Sequence, residues 1–296
     1  MTRYGNILFI AGEGNGRYPF CNSLFVDDGK KAIIDPGAGK SALDDALGNT
    51  QPDFLINSHY HQDHTSCNIL YPHARLFVPR KEAPCFSSIE AVLAYNGTTD
   101  PARMDLYRNA LITMFHYREQ TPDVLLDDGD EINCGSSVIH VIATPGHSPG
   151  HLCFFFPREE VLFLGDYDLT AFGPWYGDVT SDIDDTLASL ERLKTVPARV
   201  FISGHETGVI HGDVHARIDA YRAIILQREE AIVRLLEKPR TLEDVIDHWI
   251  IYGKPCTPRW LFRQLEGTMI SKHLKRLAEQ ERIERDGDRY VARRSP

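Results

Sequence analysis

The stretch Asn57-Ser58-His59-Tyr60-His61-Gln62-Asp63-His64 places three histidines and an aspartate within six residues. It directly follows the apolar run 54–56, which predicts a short buried strand. Polar groups beside a buried strand cost free energy unless they are paired or bind a ligand. Imidazole and carboxylate are ligands that borderline divalent metals prefer, so the stretch predicts a metal site.

Four further polar residues follow other apolar runs of the same kind. Asp35 follows 32–34, His147 follows 138–142, Asp166 follows 161–164 and His205 follows 200–202. Packing gives no reason for this repeated placement, which indicates one assembled site. We expect His59 and His61 to face one ion and Asp63 and His64 to face a second ion beside it. His147 and His205 then complete the two sites, and Asp166 bridges them.

The length of 296 residues suits one large domain followed by a small one. We expect a catalytic domain over 1–237, with a helical insertion at about 87–117 that is a candidate lid. Residues 238–296 are expected to form three helices, at 242–250, 258–265 and 268–279, and then a hairpin. This is the element order of a winged helix.

The formal net charge of −10 argues against nucleic acid as the partner of the whole chain. Residues 238–296 nevertheless carry 13 Lys+Arg against 9 Asp+Glu. Their basic side chains lie on the last predicted helix and on the hairpin: Lys272, Lys275, Arg276, Arg282, Arg285, Arg289, Arg293 and Arg294. Acidic residues are interleaved with them, which favours a solvated face, a dimer contact or pocket shaping over phosphate binding. We also keep a homodimer of two copies of this chain as an alternative.

The six cysteines form no CxxC pair, which is typical of reduced thiols in a cytosolic protein. No apolar run reaches the length of a membrane span. We therefore expect a cytoplasmic protein with no membrane partner.

The motif His59-x-His61-x-Asp63-His64 resembles the signature of the metallo-β-lactamase superfamily. Asp35, the run 144–151, Gly165-Asp166 and Gly204-His205 match the other motifs of that family in order. The resemblance covers roughly residues 5–235. It implies an α+β fold, the αββα sandwich, that holds two divalent ions, with zinc expected first and iron or manganese as alternatives.

The resemblance also implies a division of roles among the polar residues. His59, His61 and His147 would bind one ion, and Asp63, His64 and His205 the other. Asp166 would bridge the ions, and Asp35 would support the ligands without binding metal. Two adjacent ions lower the pKa of a shared water, so that hydroxide attacks a small-molecule substrate at neutral pH, with Asp63 and Asp166 as catalytic residues.

The chain is most similar to glyoxalase II-type hydrolases, which keep all seven ligands. Lactamases of the family usually replace the bridging aspartate by cysteine, so Asp166 argues against antibiotic cleavage. Tyr60, Trp175 and Tyr176 are candidate residues of the substrate pocket. The predicted winged helix departs from glyoxalase II and is similar to lactamase-β-like hydrolases, one branch of which cleaves single-stranded RNA.

Three hypotheses follow from these observations. The first is a binuclear metal-dependent hydrolase that acts on a small ester or thioester. The second is a metal-dependent endoribonuclease that cleaves single-stranded RNA. The third is a nucleic-acid-binding regulator whose metal domain senses a ligand or oxygen.

Overall fold

The computed structural model describes residues 2–293 and contains three β-sheets. The first sheet is built in sequence order from β1 (Thr2–Tyr4), β2 (Ile7–Ile10), β3 (Ser23–Val26), β4 (Ala32–Ile34), β5 (Phe54–Ile56), β6 (Arg75–Pro79) and β7 (Val124–Leu126). The second has the order β13-β12-β11-β10-β9-β8 and comprises β8 (Glu131–Asn133), β9 (Val138–Ala143), β10 (Leu152–Phe156), β11 (Val161–Phe163), β12 (Val200–Ile202) and β13 (Val209–His211). Strands β4 to β7 run parallel to one another, and so do β11 and β12.

Helices connect and cover these strands. They are α1 (Glu13–Gly16), α2 (Lys40–Leu47), α3 (Gln62–Thr65), α4 (Ala83–Ser87), α5 (Ile89–Asn96), α6 (Pro101–Thr113), α7 (Ile183–Leu193), α8 (His215–Leu235), α9 (Leu242–Ile246) and α10 (Arg259–Glu279). Two short 3-10 turns occupy Asn68–Leu70 and Arg80–Glu82. The helices predicted between residues 87 and 117 are present as α5 and α6, while a lid role for them stays a prediction.

The buried side chains divide into layers. One core lies between the two large sheets and joins residues such as Leu24 and Phe154. A second core lies between the first sheet and α2, α4, α5 and α6, and a third lies between the second sheet and the helices α7 and α8. This alternation of helix, sheet, sheet and helix is the αββα sandwich, because each sheet buries both of its faces.

The segment after α8 has its own small sheet. Here β14 (Arg240–Thr241), β15 (Ile283–Asp286) and β16 (Arg289–Ala292) pair in the order β14-β16-β15. The predicted hairpin is present, and Thr241 caps α9 through a reciprocal hydrogen-bonded pair with Asp244. A fourth core joins this segment to α8 and to the 172–182 loop. The domain boundary at 237 and the winged-helix assignment stay predictions, and Arg294 lies outside the described residues.

Two helix predictions for this segment are wrong in detail. The predicted helices 258–265 and 268–279 form the single helix α10, and α9 ends at Ile246, before Trp249 adopts a left-handed backbone with φ of 51°. Gly267 lies inside α10, where a Cβ would meet Ile246 Cδ1 at 3.0 Å. The glycine therefore permits close packing of the two helices and does not break the second one.

Within residues 2–293, no helix combines the length and the apolar character needed to cross a bilayer.

Candidate metal centre

The polar residues singled out in the sequence meet at one edge of the sandwich. They lie just beyond the carboxyl ends of β4, β5, β9, β11 and β12. Asp35, His59, His61, Asp63, His64 and His147 are all buried, and Asp166 and His205 are half-buried. The strand ends thus deliver side chains from distant parts of the chain to one place.

Four of these residues form a first cluster of potential ligand atoms, namely His59, His61, His147 and Asp166. His147 Nε2 lies 2.9 Å from His61 Nδ1 and 3.2 Å from Asp166 Oδ2. His59 Nε2 lies 3.8 Å from the same carboxylate oxygen. Three imidazoles and one carboxylate oxygen therefore converge, as a small divalent ion requires.

A second cluster lies beside the first and comprises Asp63, His64 and His205. His205 Nε2 lies 3.2 Å from His64 Nε2 and 3.3 Å from Asp63 Oδ2. The carboxylate of Asp166 reaches this cluster with its other oxygen, since Oδ1 lies 2.7 Å from His64 Nε2 and 3.4 Å from His205 Nε2. One oxygen of Asp166 faces each cluster, which is the arrangement of a bridging ligand.

Each of the five histidines is oriented by a hydrogen-bond partner outside the clusters. His59 Nδ1 lies 2.9 Å from Ser58 Oγ, and His61 Nε2 lies 2.7 Å from Asp178 Oδ2. His64 Nδ1, His147 Nδ1 and His205 Nδ1 face the Asp35 carboxylate, the Trp175 carbonyl and the Gly16 carbonyl at 2.9, 3.2 and 2.8 Å. A ring N–H that donates outward leaves the other nitrogen free to bind a metal.

The inward-facing atoms fit a cation. His59 Nε2 and Asp166 Oδ1 are buried without a hydrogen-bond partner. Asp166 Oδ1 lies close to His64 Nε2, but the two groups are not aligned for a hydrogen bond. Two pairs of imidazole nitrogens also face each other, His61 with His147 and His64 with His205. Buried polar atoms without partners are costly, and divalent ions shared by these atoms would satisfy them.

The pKa values of the five histidines shift in both directions. Burial lowers the pKa of the His59 imidazole well below its usual range and lowers that of His147 to about 4. Burial acts in the same direction at His64 and His205, but Asp166 and the other acidic groups around them together outweigh it and raise both pKa values. Protons would therefore compete with metal ions for His64 and His205, and also for His61, where burial is outweighed by Asp178 and nearby carboxylates together.

Asp35 supports the ligands from behind. Its Oδ1 accepts a hydrogen bond from the Ser58 backbone at 2.7 Å, and its Oδ2 accepts from Ser58 Oγ at 2.5 Å and faces His64. Since Ser58 Oγ also contacts His59, one carboxylate orients a histidine of each cluster. The Asp35 carboxylate also lies within reach of His59 and His64 as a third group of potential ligand atoms, and its supporting role stays a prediction.

Three further residues contact the site and were not assigned a role from the sequence. Glu82 is fully buried and accepts hydrogen bonds from Tyr60 N, Ser148 Oγ and Gly150 N, so it ties together two ligand-bearing loops. His151 Nε2 accepts from Asp166 N at 3.1 Å, and Asp178 contacts His61. The second Gly-His of the run 144–151 was a usable signal for His151, whereas the two lone carboxylates gave none.

The three candidate pocket residues differ in position. The Trp175 ring lies beside the first cluster, with its centroid 5.6 Å from His61 and 5.4 Å from His147. The buried Tyr60 donates its hydroxyl hydrogen to Asp178. Tyr176 is fully buried, and its hydroxyl contacts His273 and Arg228, so the expectation that it lines a pocket is corrected: it supports the loop from behind. Substrate contact by Tyr60 and Trp175 stays a prediction.

Comparison with known proteins identifies the family. The family profile described as "Metallo-beta-lactamase superfamily" matches residues 17–205, which is more than half of the chain. The chain belongs to the metallo-beta-lactamase superfamily. The matched region contains every residue of both clusters.

Curated relatives within the superfamily share about a quarter of the sequence. A beta-lactamase-like protein 2 homolog of Caenorhabditis elegans is 25% identical over 80% of this chain and 68% of its own length. A hydroxyacylglutathione hydrolase of Methylococcus capsulatus is 28% identical over 70% of this chain and 69% of its own length. An atrochrysone carboxyl ACP thioesterase of Cryptosporiopsis is 22% identical over 80% of this chain and 65% of its own length. The chain thus spans about two thirds of the length of these superfamily members.

Among solved structures, a metallo-beta-lactamase family protein from Thermus thermophilus superimposes with a TM-score of 0.73. It is 24% identical, and the match covers 98% of this chain and 99% of that one. This likeness establishes a shared fold along nearly the whole length, including the segment after α8. The homologues named as hydrolases and the two histidine clusters together support a metal-binding hydrolase.

Proposed function

We propose that the chain is a binuclear metal-dependent hydrolase that cleaves an ester or thioester of a small molecule. The observation that carries this proposal is the position of Asp166, which turns one carboxylate oxygen to each of two adjacent ligand clusters. His59, His61 and His147 would hold one ion, and Asp63, His64 and His205 the other. Zinc is the expected metal, with iron and manganese as alternatives, because imidazole and carboxylate accept all three.

When bound, the two ions would lower the pKa of a water molecule and polarise the carbonyl group under attack. The remaining tasks belong to the protein. Burial opposes ionisation of Asp63, but the neighbouring His205 and His64 outweigh it and lower the carboxyl pKa. The ionised carboxylate can therefore accept a hydrogen bond from the attacking water and orient it. Trp175, whose ring lies beside His61 and His147, is a candidate contact for the substrate.

A thioester is the favoured substrate class for two reasons. One relative is named a thioesterase, and another is named a hydrolase of hydroxyacylglutathione. Metal-assisted attack on an acyl carbon also requires no serine or cysteine nucleophile in the protein. The substrate itself is not specified by these residues, since they act at the bond that breaks.

The alternatives that involve nucleic acid receive less support from the contacts of the basic side chains. Lys272 donates to main-chain carbonyls of the 172–182 loop, and Arg276 pairs with Asp184 and Glu229. Arg282 pairs with Glu230. Side chains that are committed to pairs within the chain are not free to contact phosphate groups.

The test is hydrolysis of a panel of small thioesters, esters and single-stranded RNA by the metal-loaded chain. We expect turnover of thioesters or esters, with loss after chelation and recovery after metal return. Cleavage of RNA without any thioester or ester turnover would favour the endoribonuclease. Failure to cleave any member of the panel with zinc, manganese or iron would favour the sensor.

A further inference from the structure

The 172–182 loop lies against the first cluster and contacts two of its three histidines. Asp178 Oδ2 accepts a hydrogen bond from His61 Nε2 at 2.7 Å, and the Trp175 carbonyl accepts from His147 Nδ1 at 3.2 Å. Ser181 Oγ donates to the His147 carbonyl at 2.7 Å. The position of this loop therefore decides how both imidazoles point.

The segment after α8 holds this loop from the other side. Lys272 of α10 donates to the Val179 carbonyl at 3.1 Å and to the Ser181 carbonyl at 2.6 Å. These carbonyls belong to the turn that begins at Asp178, whose own carbonyl accepts from Ser181 N at 3.2 Å. Among residues 2–293, no carboxylate pairs with Lys272, so its ammonium group is engaged by the loop.

Two aromatic residues of the loop are fixed by the same segment. Trp175 Nε1 donates to Tyr252 Oη at 3.2 Å, and Tyr176 Oη lies 2.7 Å from His273 Nε2. Tyr176 and His273 are both fully buried, so this contact lies in the core that joins the segment to the sandwich. Residues after 237 thus hold the loop before Asp178, at Trp175 and Tyr176, and after it, at Val179 and Ser181.

We propose that residues 240–292 act as a buttress of the three-histidine site, with Asp178 as the positioning residue for His61 and Lys272 as the side chain that fixes the turn carrying Asp178. The proposal rests on the metal-binding function proposed above and assigns the segment a role in it. Lys272 is one of the basic residues that the sequence places on the last helix, and its partners are the loop carbonyls. Partners that orient a metal ligand typically account for 10–100-fold in metal affinity.

The test is titration of the full metal-free chain with Co²⁺, followed by visible absorption and by competition with a chelator. These readouts report the affinity and ligand field of each ion without any substrate. The variants are Lys272→Met, which keeps the aliphatic stem, Lys272→Arg, which restores donors, and Asp178→Asn. Lys275→Met is the matched control, because Lys275 lies on the same helix with its side chain 75% exposed and, within residues 2–293, paired only with Glu279.

We expect Lys272→Met and Asp178→Asn to lower the affinity of the chain for one of the two cobalt ions by about 10–100-fold and to change the absorption spectrum of that ion. The affinity for the other ion should stay the same. Lys272→Arg should recover most of the loss, and Lys275→Met should match the wild-type chain. If Lys272→Met fails to fold, Tyr252→Phe removes a single hydrogen bond to Trp175 of the same loop and should lower the affinity for the same cobalt ion.

Two results would overturn the buttress. One is a wild-type cobalt affinity and spectrum for both ions in Lys272→Met or its substitute, and the other is an equal loss in Lys275→Met. Failure of the wild-type chain to bind cobalt at all would instead remove the proposed function, and the buttress with it. A chain that binds two cobalt ions but is unaffected by the Lys272 variant refutes the buttress alone.

Discussion

Glu82 offers the best-defined prediction, because its environment sets both the sign and the size of the effect. The side chain is fully buried and accepts hydrogen bonds from Tyr60 N at 2.8 Å, Ser148 Oγ at 2.5 Å and Gly150 N at 2.8 Å. Burial outweighs these donors and raises the pKa of Glu82 from 4.5 to about 7. The folded chain therefore holds a proton that the unfolded chain releases between these two values.

The sign of the pH dependence follows from that difference. The protonated Glu82 contributes its full share to the free energy of unfolding below pH 4.5. This contribution falls as the pH rises toward 7, and above about pH 7 it does not change further. The rise in the pKa from 4.5 to about 7 corresponds to a loss of roughly 3 kcal/mol of unfolding free energy across this pH range. In Glu82→Gln this loss is absent, but the amide presents an N–H to the Tyr60 N–H, which costs about 1–3 kcal/mol at every pH.

The assay is urea unfolding of the metal-free wild-type chain and of Glu82→Gln at pH 5, 6, 7 and 8. We expect the variant to be less stable at pH 5 by up to about 2 kcal/mol, since the wild-type chain has lost roughly 1 kcal/mol at that pH, and to equal or exceed the wild type at pH 8. Glu279→Gln, at an exposed position of α10, is the control and should show no such crossing. A difference between wild type and Glu82→Gln that stays constant or widens with pH would refute the reasoning.

Three further outcomes follow from the site. Asp166→Asn should lower turnover by at least about 100-fold, since the amide leaves one cluster without its carboxylate oxygen, and steady-state kinetics at saturating metal would check this. Asp35→Asn should weaken metal binding by about 10–100-fold in a chelator competition, because Ser58 and His64 lose their shared acceptor. Gly37→Ala should yield little folded, metal-binding protein, because the new Cβ would lie 1.6 Å from the Asp63 carbonyl, and circular dichroism with metal analysis of the product would show it.

The candidate ligands could be selected from the sequence because each of them follows an apolar run that forms a strand. That pattern is local, and the sandwich brings the strand ends to one edge. The helix α10 was predicted incorrectly as two helices. A glycine in a helical pattern can either end the helix or allow another helix to pack closely against it. At Gly267 the tertiary contact with Ile246 decides between them, and no pattern along the chain contains that contact.

Glu82 and Asp178 were beyond prediction for a related reason. Asp178 meets His61 across 117 positions of sequence, and nothing near Asp178 distinguishes it from a surface aspartate. Lys272 was noticed for its charge, and its loop contacts became visible only when α10 was placed against the sandwich. Residues that support a site are selected by tertiary position, so residue type and spacing identify them poorly.

The most direct test of the central claim is the metal content of the chain. The chain would be stripped with a chelator, loaded separately with zinc, manganese and iron, freed of excess metal, and measured by elemental analysis against protein concentration. The account predicts two ions per chain for at least one of these metals, because seven ligand positions in two clusters are joined by Asp166. One ion or none per chain with every metal would contradict it.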